Sequence, residues 1–305
     1  MAFLFDSFEG WKKYCKEHAM SLSDVVREYE RDQKNRTDDE IMNGLLGAWR
    51  VMKEAVQTGL TEDMQSRSGM INNGGKKVFH HHQTVLSREF QNLIARALAA
   101  KEVNSCMGRI VAAPTAGASG IMPGVLFTLQ EIHQLDDGRI VEAMLVAAGI
   151  ALIIEQRASL AGAVGGCQAE TGSAAAMAAG AIVYCLAGNI DQVLNAVAIT
   201  VQCMLGLVCD PVAGLVEVPC VVRNASAAAI ANSSAQIALA DVSSVIPVDE
   251  VIDVLGEIGA NMETKPSALT WKVASPCTPS TPRKSRSRAS RPTPRWTRSK
   301  GRSTS

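Results

Sequence analysis

The chain has 305 residues, 47% of them hydrophobic but only 4% aromatic, and its 30 basic and 30 acidic residues cancel to a formal net charge of zero. This length provides one large domain or two ordinary ones with a sizeable core, and the aliphatic composition predicts helices that pack closely through small side chains. The longest apolar run, residues 143–154, is shorter than the roughly 20 residues that span a bilayer, which argues against a membrane protein.

The N-terminal residues include acidic side chains and lack a long apolar stretch, which argues against a signal peptide. We therefore expect a cytoplasmic protein with no membrane contact. In that compartment the eight cysteines are reduced, so they serve as small core residues, metal ligands or catalytic thiols rather than in disulfides.

The first 60 residues predict helices with polar faces. Ser23 is placed to cap the first of them, because a serine oxygen accepts hydrogen bonds from the free amides of an opening turn. Thr37 and Glu40 have the spacing of a capping box at the start of the second.

Residues 61–83 lose the helical pattern and predict a loop, because glycine, asparagine and basic residues dominate them. Three consecutive histidines, His80 to His82, lie in this stretch. Successive side chains point in different directions and rarely converge on one ion. We interpret the three histidines as an exposed or partner-facing loop.

Helical patterns return at residue 87 and continue to residue 259, with segments that are apolar on nearly every face and so belong inside a core. We find neither the alternation typical of strands nor an internal repeat. The sequence predicts an all-α fold, a compact multi-helix domain over residues 1–264 whose Gly- and Pro-rich helix breaks form a site.

Three breaks interrupt the apolar helices, at residues 114–124, 165–172 and 209–220. Such breaks free backbone amides inside a core, where they need partners. Cys167, Cys209 and Cys220 lie in two of these breaks. Three thiolates can hold three irons of a four-iron cluster and leave the fourth iron open as a Lewis acid. Spacings of 41 and 10 residues do not exclude three buried structural cysteines instead.

Three motifs carry a resemblance to a known family: APTAGASGIMPG, GGCQAETGSAAAMAAGAIV and GLVCDPVAGLVEVPCVVRNA. In order and spacing they resemble the iron–sulfur-dependent bacterial L-serine dehydratases, and more narrowly the α subunit of the two-subunit form. The resemblance extends from the N-terminal helices to IPVDEVIDVLGEIG. It implies a [4Fe-4S] cluster on Cys167, Cys209 and Cys220 whose open iron polarises the hydroxyl of L-serine, giving pyruvate and ammonia without pyridoxal phosphate.

The resemblance also implies roles for residues near the cysteines. The loop with Thr115, Ala116 and Gly117 matches a family motif, which implies that its amides and the Thr115 hydroxyl hold the substrate carboxylate. The alternative is a tight helix–helix connection with no ligand. Asn104 matches a family asparagine that orients this loop or touches substrate.

Two further candidates lie close to the cysteines in sequence. Glu170 is the candidate catalytic acid or base, with an ion pair to Arg223 as the alternative. Arg223 is a candidate for binding the substrate carboxylate or the surroundings of the cluster, with a solvated helix start as its alternative.

A partner is expected as well. In the two-subunit form a separate β chain completes the active site with an SSHT-type motif, which this sequence lacks. The resemblance therefore implies a β subunit as partner. Two readings stay open beside L-serine: a cluster-bearing lyase for another small hydroxy amino acid, and an inactive truncated subunit.

Residues 265–305 differ in composition from the rest of the chain. Between residues 275 and 305 there are nine Lys and Arg and no acidic residue, so the remaining chain is acidic. We expect this basic, low-complexity tail to be disordered. An out-of-frame end of the reading frame is the explanation we favour, and a tail that binds nucleic acid phosphates is the alternative.

Overall fold

The structure is built from α-helices, as the sequence predicts. A computed structural model of the chain describes residues 6–83 and 85–262. The helices in these ranges are α1 (Phe8–His18), α2 (Leu22–Lys34), α3 (Asp38–Thr61), α4 (Gly74–His80), α5 (Arg88–Ser105), α6 (Ile121–His133), α7 (Asp137–Arg157), α8 (Gly162–Cys167), α9 (Ser173–Cys185), α10 (Ile190–Gln202), α11 (Cys220–Leu239) and α12 (Val248–Asn261). Within the same ranges, extended pairing is limited to an isolated bridge between Gln65 and Asn72.

Side-chain caps fix the starts of the N-terminal helices. The predicted capping box of α3 is confirmed, because Thr37 accepts from the amide of Glu40 and Glu40 accepts in return. The prediction that Ser23 caps α2 is wrong. Ser21 caps α2 instead, and Ser23 is the buried second residue of the helix, where its hydroxyl lies 2.9 Å from that of Tyr184. Both serines suit a cap by sequence, and the contact with α9 decides between them.

The loop predicted for residues 61–83 is wrong in part, because α4 lies within it. The first amides of α4, those of Gly74 and Gly75, donate to the carboxylate of Glu102 at 2.6 and 2.9 Å. Glu102 is buried on α5, and a carboxylate at a helix N-terminus is stabilising. A partner distant in sequence therefore supports a helix that its own residues do not predict. The three histidines His80–His82 are exposed, in agreement with the prediction.

Helix α9 forms the centre of the fold and is buried along almost its whole length. Helices α6, α7, α10 and α11 pack around it. Its small side chains let these neighbours approach closely, which is how an interior poor in aromatic residues reaches ordinary packing density. The termini of these surrounding helices position the three breaks.

Helix α12 closes the bundle by contacting both early and central elements. The carboxylate of Asp249 accepts from the amides of Phe8 and Glu9, at 2.9 and 3.0 Å, and so caps α1. The backbone oxygen of Leu255 accepts from Nε2 of Gln168 at 3.1 Å, directly after Cys167. α12 thus supports the turn that carries the first cysteine.

The described residues bear on membrane-spanning helices but not on the C-terminal tail. None of the helices in residues 6–83 and 85–262 is long and apolar enough to cross a membrane. The predicted domain limit at residue 264 and the basic tail 265–305 lie outside the described residues and stay predictions.

Candidate functional site

The three cysteines come from three separate segments. Cys167 ends α8 and is followed by a single π-helical turn, Gln168–Gly172, that leads into α9. Cys209 lies between α10 and α11, and Cys220 is the first residue of α11. The breaks predicted around the cysteines therefore coincide with helix ends, whereas the break predicted at residues 114–124 is shorter because α6 begins at Ile121.

A glycine shapes the turn before Cys167. Gly166 has φ +77°, in the left-handed region that side chains other than glycine rarely adopt. The space that a Cβ would occupy there is taken by the side chain of Met262 and the backbone oxygen of Leu207. Gly166 thus turns Cys167 towards the segment that carries Cys209.

The three thiols lie within electrostatic range of one another. Cys167 and Cys220 are buried and Cys209 is exposed. The pKa of Cys167 is raised to about 12, chiefly by burial and in part by negative charge on Cys220 and Cys209, while Arg223 lowers it. Burial also raises the pKa of Cys209 and of Cys220.

Arg223, one turn into α11, connects the segments. Its Nη1 atom donates to Sγ of Cys167 at 3.1 Å, to the backbone oxygen of Val208 at 3.0 Å and to the carboxylate of Asp210 at 2.5 Å. The pKa of this guanidinium is raised, because the bond to Asp210 and the charge of Cys167 outweigh burial, which lowers it. The alternative ion pair with Glu170 is not formed, since Arg223 pairs with Asp210.

Asn224 joins the 115–120 loop to the start of α11. Its side chain is fully buried, donates to the backbone oxygens of Gly117 and Cys220 at 2.8 and 2.9 Å, and accepts from the amide of Gly120 at 2.9 Å. All of its hydrogen bonds to this loop go to backbone groups, so Asn224 holds the loop in place beside Cys220.

Glu170 faces the same loop. Its carboxylate accepts a hydrogen bond from Oγ1 of Thr115. A Cβ at Gly117 would overlap this carboxylate, so only glycine lets the loop approach so closely. Negative charge on Glu170 raises the pKa of both Cys209 and Cys220, which places the carboxylate within electrostatic range of these thiols. Glu170, Thr115 and the 116–117 backbone thus lie next to the cysteines.

Lys101 is a member of the site that the sequence analysis missed. It has no solvent exposure, and its Nζ atom donates to Oδ1 of Asn104 at 2.6 Å and to the backbone oxygen of Val216 at 3.2 Å. Burial lowers the pKa of this lysine, while the charges of Cys220 and Glu170 raise it. Its position one helical turn before Asn104 was the available signal, because residues three apart share a helix face.

The candidate ligand side chains indicate whether the site suits a single metal ion or an iron–sulfur cluster. Within residues 6–83 and 85–262, no group of three or more His, Cys, Asp or Glu side chains could hold a single metal ion. A four-iron cluster makes a different demand, because each cysteine binds a different iron and the thiols need not converge on one point. Three thiols that influence one another, with an N–H donor bonded to one sulfur, fit the chemistry of that group.

Comparison with known proteins gives consistent matches. Residues 17–269 match the model of the family described as serine dehydratase alpha chain. The chain is 41% identical over 251 residues to the L-serine dehydratase alpha chain of Peptoniphilus asaccharolyticus, covering 81% of this chain and 86% of that protein. It is 41% identical over 264 residues to the probable L-serine dehydratase alpha chain of Bacillus subtilis (strain 168), covering 86% and 88%.

A longer relative is matched over part of its length. The chain is 34% identical over 264 residues to the L-serine dehydratase TdcG of Escherichia coli (strain K12), covering 83% of this chain and 57% of that protein. The family model and these relatives agree on most of the sequence. The chain therefore belongs to the serine dehydratase alpha chain family.

Proposed function

We propose that this chain is the cluster-bearing α subunit of an enzyme that converts L-serine to pyruvate and ammonia. The observation that carries the proposal is the meeting of Cys167, Cys209 and Cys220 beside the Glu170–Thr115 pair. The relatives named as L-serine dehydratases support the reaction and the substrate.

Cys167, Cys209 and Cys220 would hold a [4Fe-4S] cluster. When bound, such a cluster with one iron free of protein ligands supplies a Lewis acid that polarises the substrate hydroxyl. Arg223 supports the ligand set from the protein side, because it donates to Sγ of Cys167 and to the segment before Cys209. A substrate-binding role for Arg223 stays a prediction, since its hydrogen bonds go to these groups.

The 115–117 loop would bind the substrate carboxylate. Thr115 supplies a hydroxyl, and Ala116 and Gly117 open a short 3-10 turn whose first amides are available to an anion. Asn104, held by Lys101, would orient the loop or contact the substrate. Helix ends that converge here keep the loop partly shielded from water, which strengthens such hydrogen bonds.

Glu170 would move the proton at the α-carbon of serine. Its carboxylate lies against the loop proposed to bind the substrate carboxylate, which places a base beside the carbon next to that group. Removal of the α-proton with departure of the hydroxyl gives an enamine, which water converts to pyruvate and ammonia.

A separate β subunit would complete the enzyme. The chain covers 86–88% of two relatives named as alpha chains, but 57% of the longer TdcG protein. The part of TdcG that this chain does not match supports the proposal that a separate second chain supplies the corresponding residues here. We also propose a cytoplasmic location, because reduced cysteines are required as cluster ligands.

The first test is the iron and acid-labile sulfide content of protein purified and reconstituted without oxygen. We expect roughly four irons per chain, lost in Cys167→Ala, Cys209→Ala and Cys220→Ala. Cys185→Ala and Cys203→Ala are matched controls, one buried and one exposed, that retain iron. Reconstituted wild-type protein without iron would overturn the cluster.

The second test is pyruvate formation from L-serine with an added β subunit. L-Threonine in a parallel assay tests the alternative of another hydroxy amino acid. Full iron content without turnover of L-serine would support the cluster but overturn the proposed substrate.

A further inference from the structure

The segment between Cys209 and Cys220 has little apolar packing of its own. Val208, Leu215 and Val216 are more than a third exposed, and Val212 is the buried apolar side chain between the two cysteines. Within the segment, the amide of Val212 donates to the backbone oxygen of Val218 at 2.8 Å. Because exposed side chains contribute little burial energy, other contacts must hold this segment.

Two buried charged residues contact or belong to this segment. Lys101 is fully buried on α5, and its Nζ atom donates to the backbone oxygen of Val216. The next residue, Glu217, is 6% exposed, and its charge is among those that raise the pKa of Lys101 against the effect of burial. A buried charge is costly unless it is compensated. The charge of Glu217, together with those of Cys220 and Glu170, offsets part of the cost of burying Lys101.

Glu217 is also held from a third part of the chain. Its Oε2 atom accepts from Oγ of Ser66 at 2.6 Å and from Oγ of Ser68. These serines belong to the turn before α4, where the amides of Ile71 and Met70 donate to the two hydroxyls at 3.2 and 3.0 Å. The two serine side chains that donate to Glu217 thus also order this turn.

We propose that Lys101, Glu217, Ser66 and Ser68 form a polar anchor that fixes the 209–220 segment so that Cys209 and Cys220 face Cys167. This inference rests on the proposed function, since it concerns the positions of the proposed cluster ligands. The four are positioning residues, because they act through the cysteine segment. α5 supplies the cation, the segment itself the carboxylate, and the turn before α4 the two hydroxyls.

The test is the alkylation rate of individual cysteines in metal-free, full-length protein, measured by mass spectrometry after timed exposure to iodoacetamide. Cys220 is buried and reports opening of the segment, Cys185 is buried in α9 and reports global unfolding, and Cys203 is an exposed reference thiol. The variants are Lys101→Met, Glu217→Gln, their combination, and Ser66→Ala with Ser68→Ala. Lys53→Met, which removes a half-buried lysine from a distant ion pair with Asp137, is the matched control.

We expect Cys220 to react about tenfold faster or more in both charge variants. Lys101→Met loses the hydrogen bond to the backbone oxygen of Val216, and Glu217→Gln weakens the hydrogen bonds from Ser66 and Ser68. The combined variant is expected to show less than the product of the two single effects, since neither charge remains. The serine variant keeps both charges and is expected to show a smaller increase. Lys101 lowers the pKa of Cys220, so its removal makes this thiol intrinsically less reactive, and faster alkylation reports exposure.

Unchanged alkylation of Cys220 in Lys101→Met and Glu217→Gln would overturn the anchor. A parallel increase at Cys185 would also overturn it, because the residues would then stabilise the whole fold. If a charge variant fails to fold, the variant with Ser66→Ala and Ser68→Ala still tests the anchor, because it keeps both charges. Since the assay needs neither iron nor serine, its outcome is separate from that of the proposed function.

Discussion

The Nη1 atom of Arg223 lies 3.1 Å from Sγ of Cys167, which is 56 residues earlier in the chain. The same nitrogen bonds to Asp210 and to the backbone oxygen of Val208. One guanidinium therefore ties the end of α8 to the segment that enters Cys209. Arginine suits this position better than lysine because its planar group keeps several donors in a fixed geometry.

Replacing Arg223 with methionine is expected to reduce both stability and iron binding. The variant loses hydrogen bonds to charged groups and leaves Asp210 buried without its cation, at a cost of about 2 kcal/mol. Urea unfolding of the metal-free protein and iron content after reconstitution measure the two effects. Arg223→Lys keeps the charge, so its stability and iron content should lie between those of the wild type and of Arg223→Met. Arg88→Met, on the surface beside His81, should change neither stability nor iron content. Wild-type iron content in Arg223→Met would contradict the proposed support of the cysteines.

Asn224→Ala is expected to destabilise the protein by about 3 kcal/mol, because it leaves the buried amide of Gly120 and the backbone oxygen of Gly117 without partners. Asn224→Asp keeps the acceptor for Gly120 but loses the donor. Thermal and urea unfolding measure the stability of both variants. The 115–120 loop should also bind substrate less well, seen as a raised KM for L-serine. An unchanged KM would show that this loop does not bind the substrate carboxylate.

Gly117→Ala is expected to lower turnover of L-serine by about a hundredfold while costing about 1–3 kcal/mol in stability, because the added methyl group displaces the carboxylate of Glu170. Pyruvate formation with the β subunit present measures turnover. Gly47→Ala in α3 is the control. A Cβ there meets open space, so that variant should be more stable by up to about 1 kcal/mol. Undiminished turnover in Gly117→Ala would show that Glu170 need not lie against this loop.

Acid is expected to weaken the junction of α3 and α7 through Asp137. Hydrogen bonds from Gln130, Lys53 and Trp49 lower the pKa of Asp137 to about 2, below its unfolded value of about 3.9. The folded state is therefore stabilised above pH 4, and this contribution is lost as the pH falls from about 4 to 2. The difference in Tm between wild type and Asp137→Asn, measured from pH 5 to pH 2, should shrink across that window. A constant difference would show that the ionised carboxylate contributes nothing.

The sequence predicted the helical class and the Thr37–Glu40 box because both depend on neighbouring residues. The resemblance singled out three cysteines that the structure brings together, although spacings of 41 and 10 residues could not do so alone. Sequence patterns failed where a distant partner decides the outcome. α4 needs Glu102, and the choice of Ser21 over Ser23 needs Tyr184.

Lys101 and Glu217 were missed for a related reason. A lysine and a glutamate predict solvent exposure, and their burial follows only from the placement of α5, the turn before α4 and the cysteine segment around them. Local periodicity carries no information on such a three-way contact.

The cap that Asp249 places on α1 has a consequence for synthesis. Phe8 and Glu9 leave the ribosome some 240 residues before the carboxylate that receives their amides. At 5–20 residues per second this delay is about 10–50 s, during which those amides lack this acceptor. Leu255, which supports the turn after Cys167, is made later still. The nascent chain thus has the three cysteines proposed as ligands before the helix that supports the turn after the first of them. If they hold the proposed cluster, iron delivery is best timed after α12 has been made.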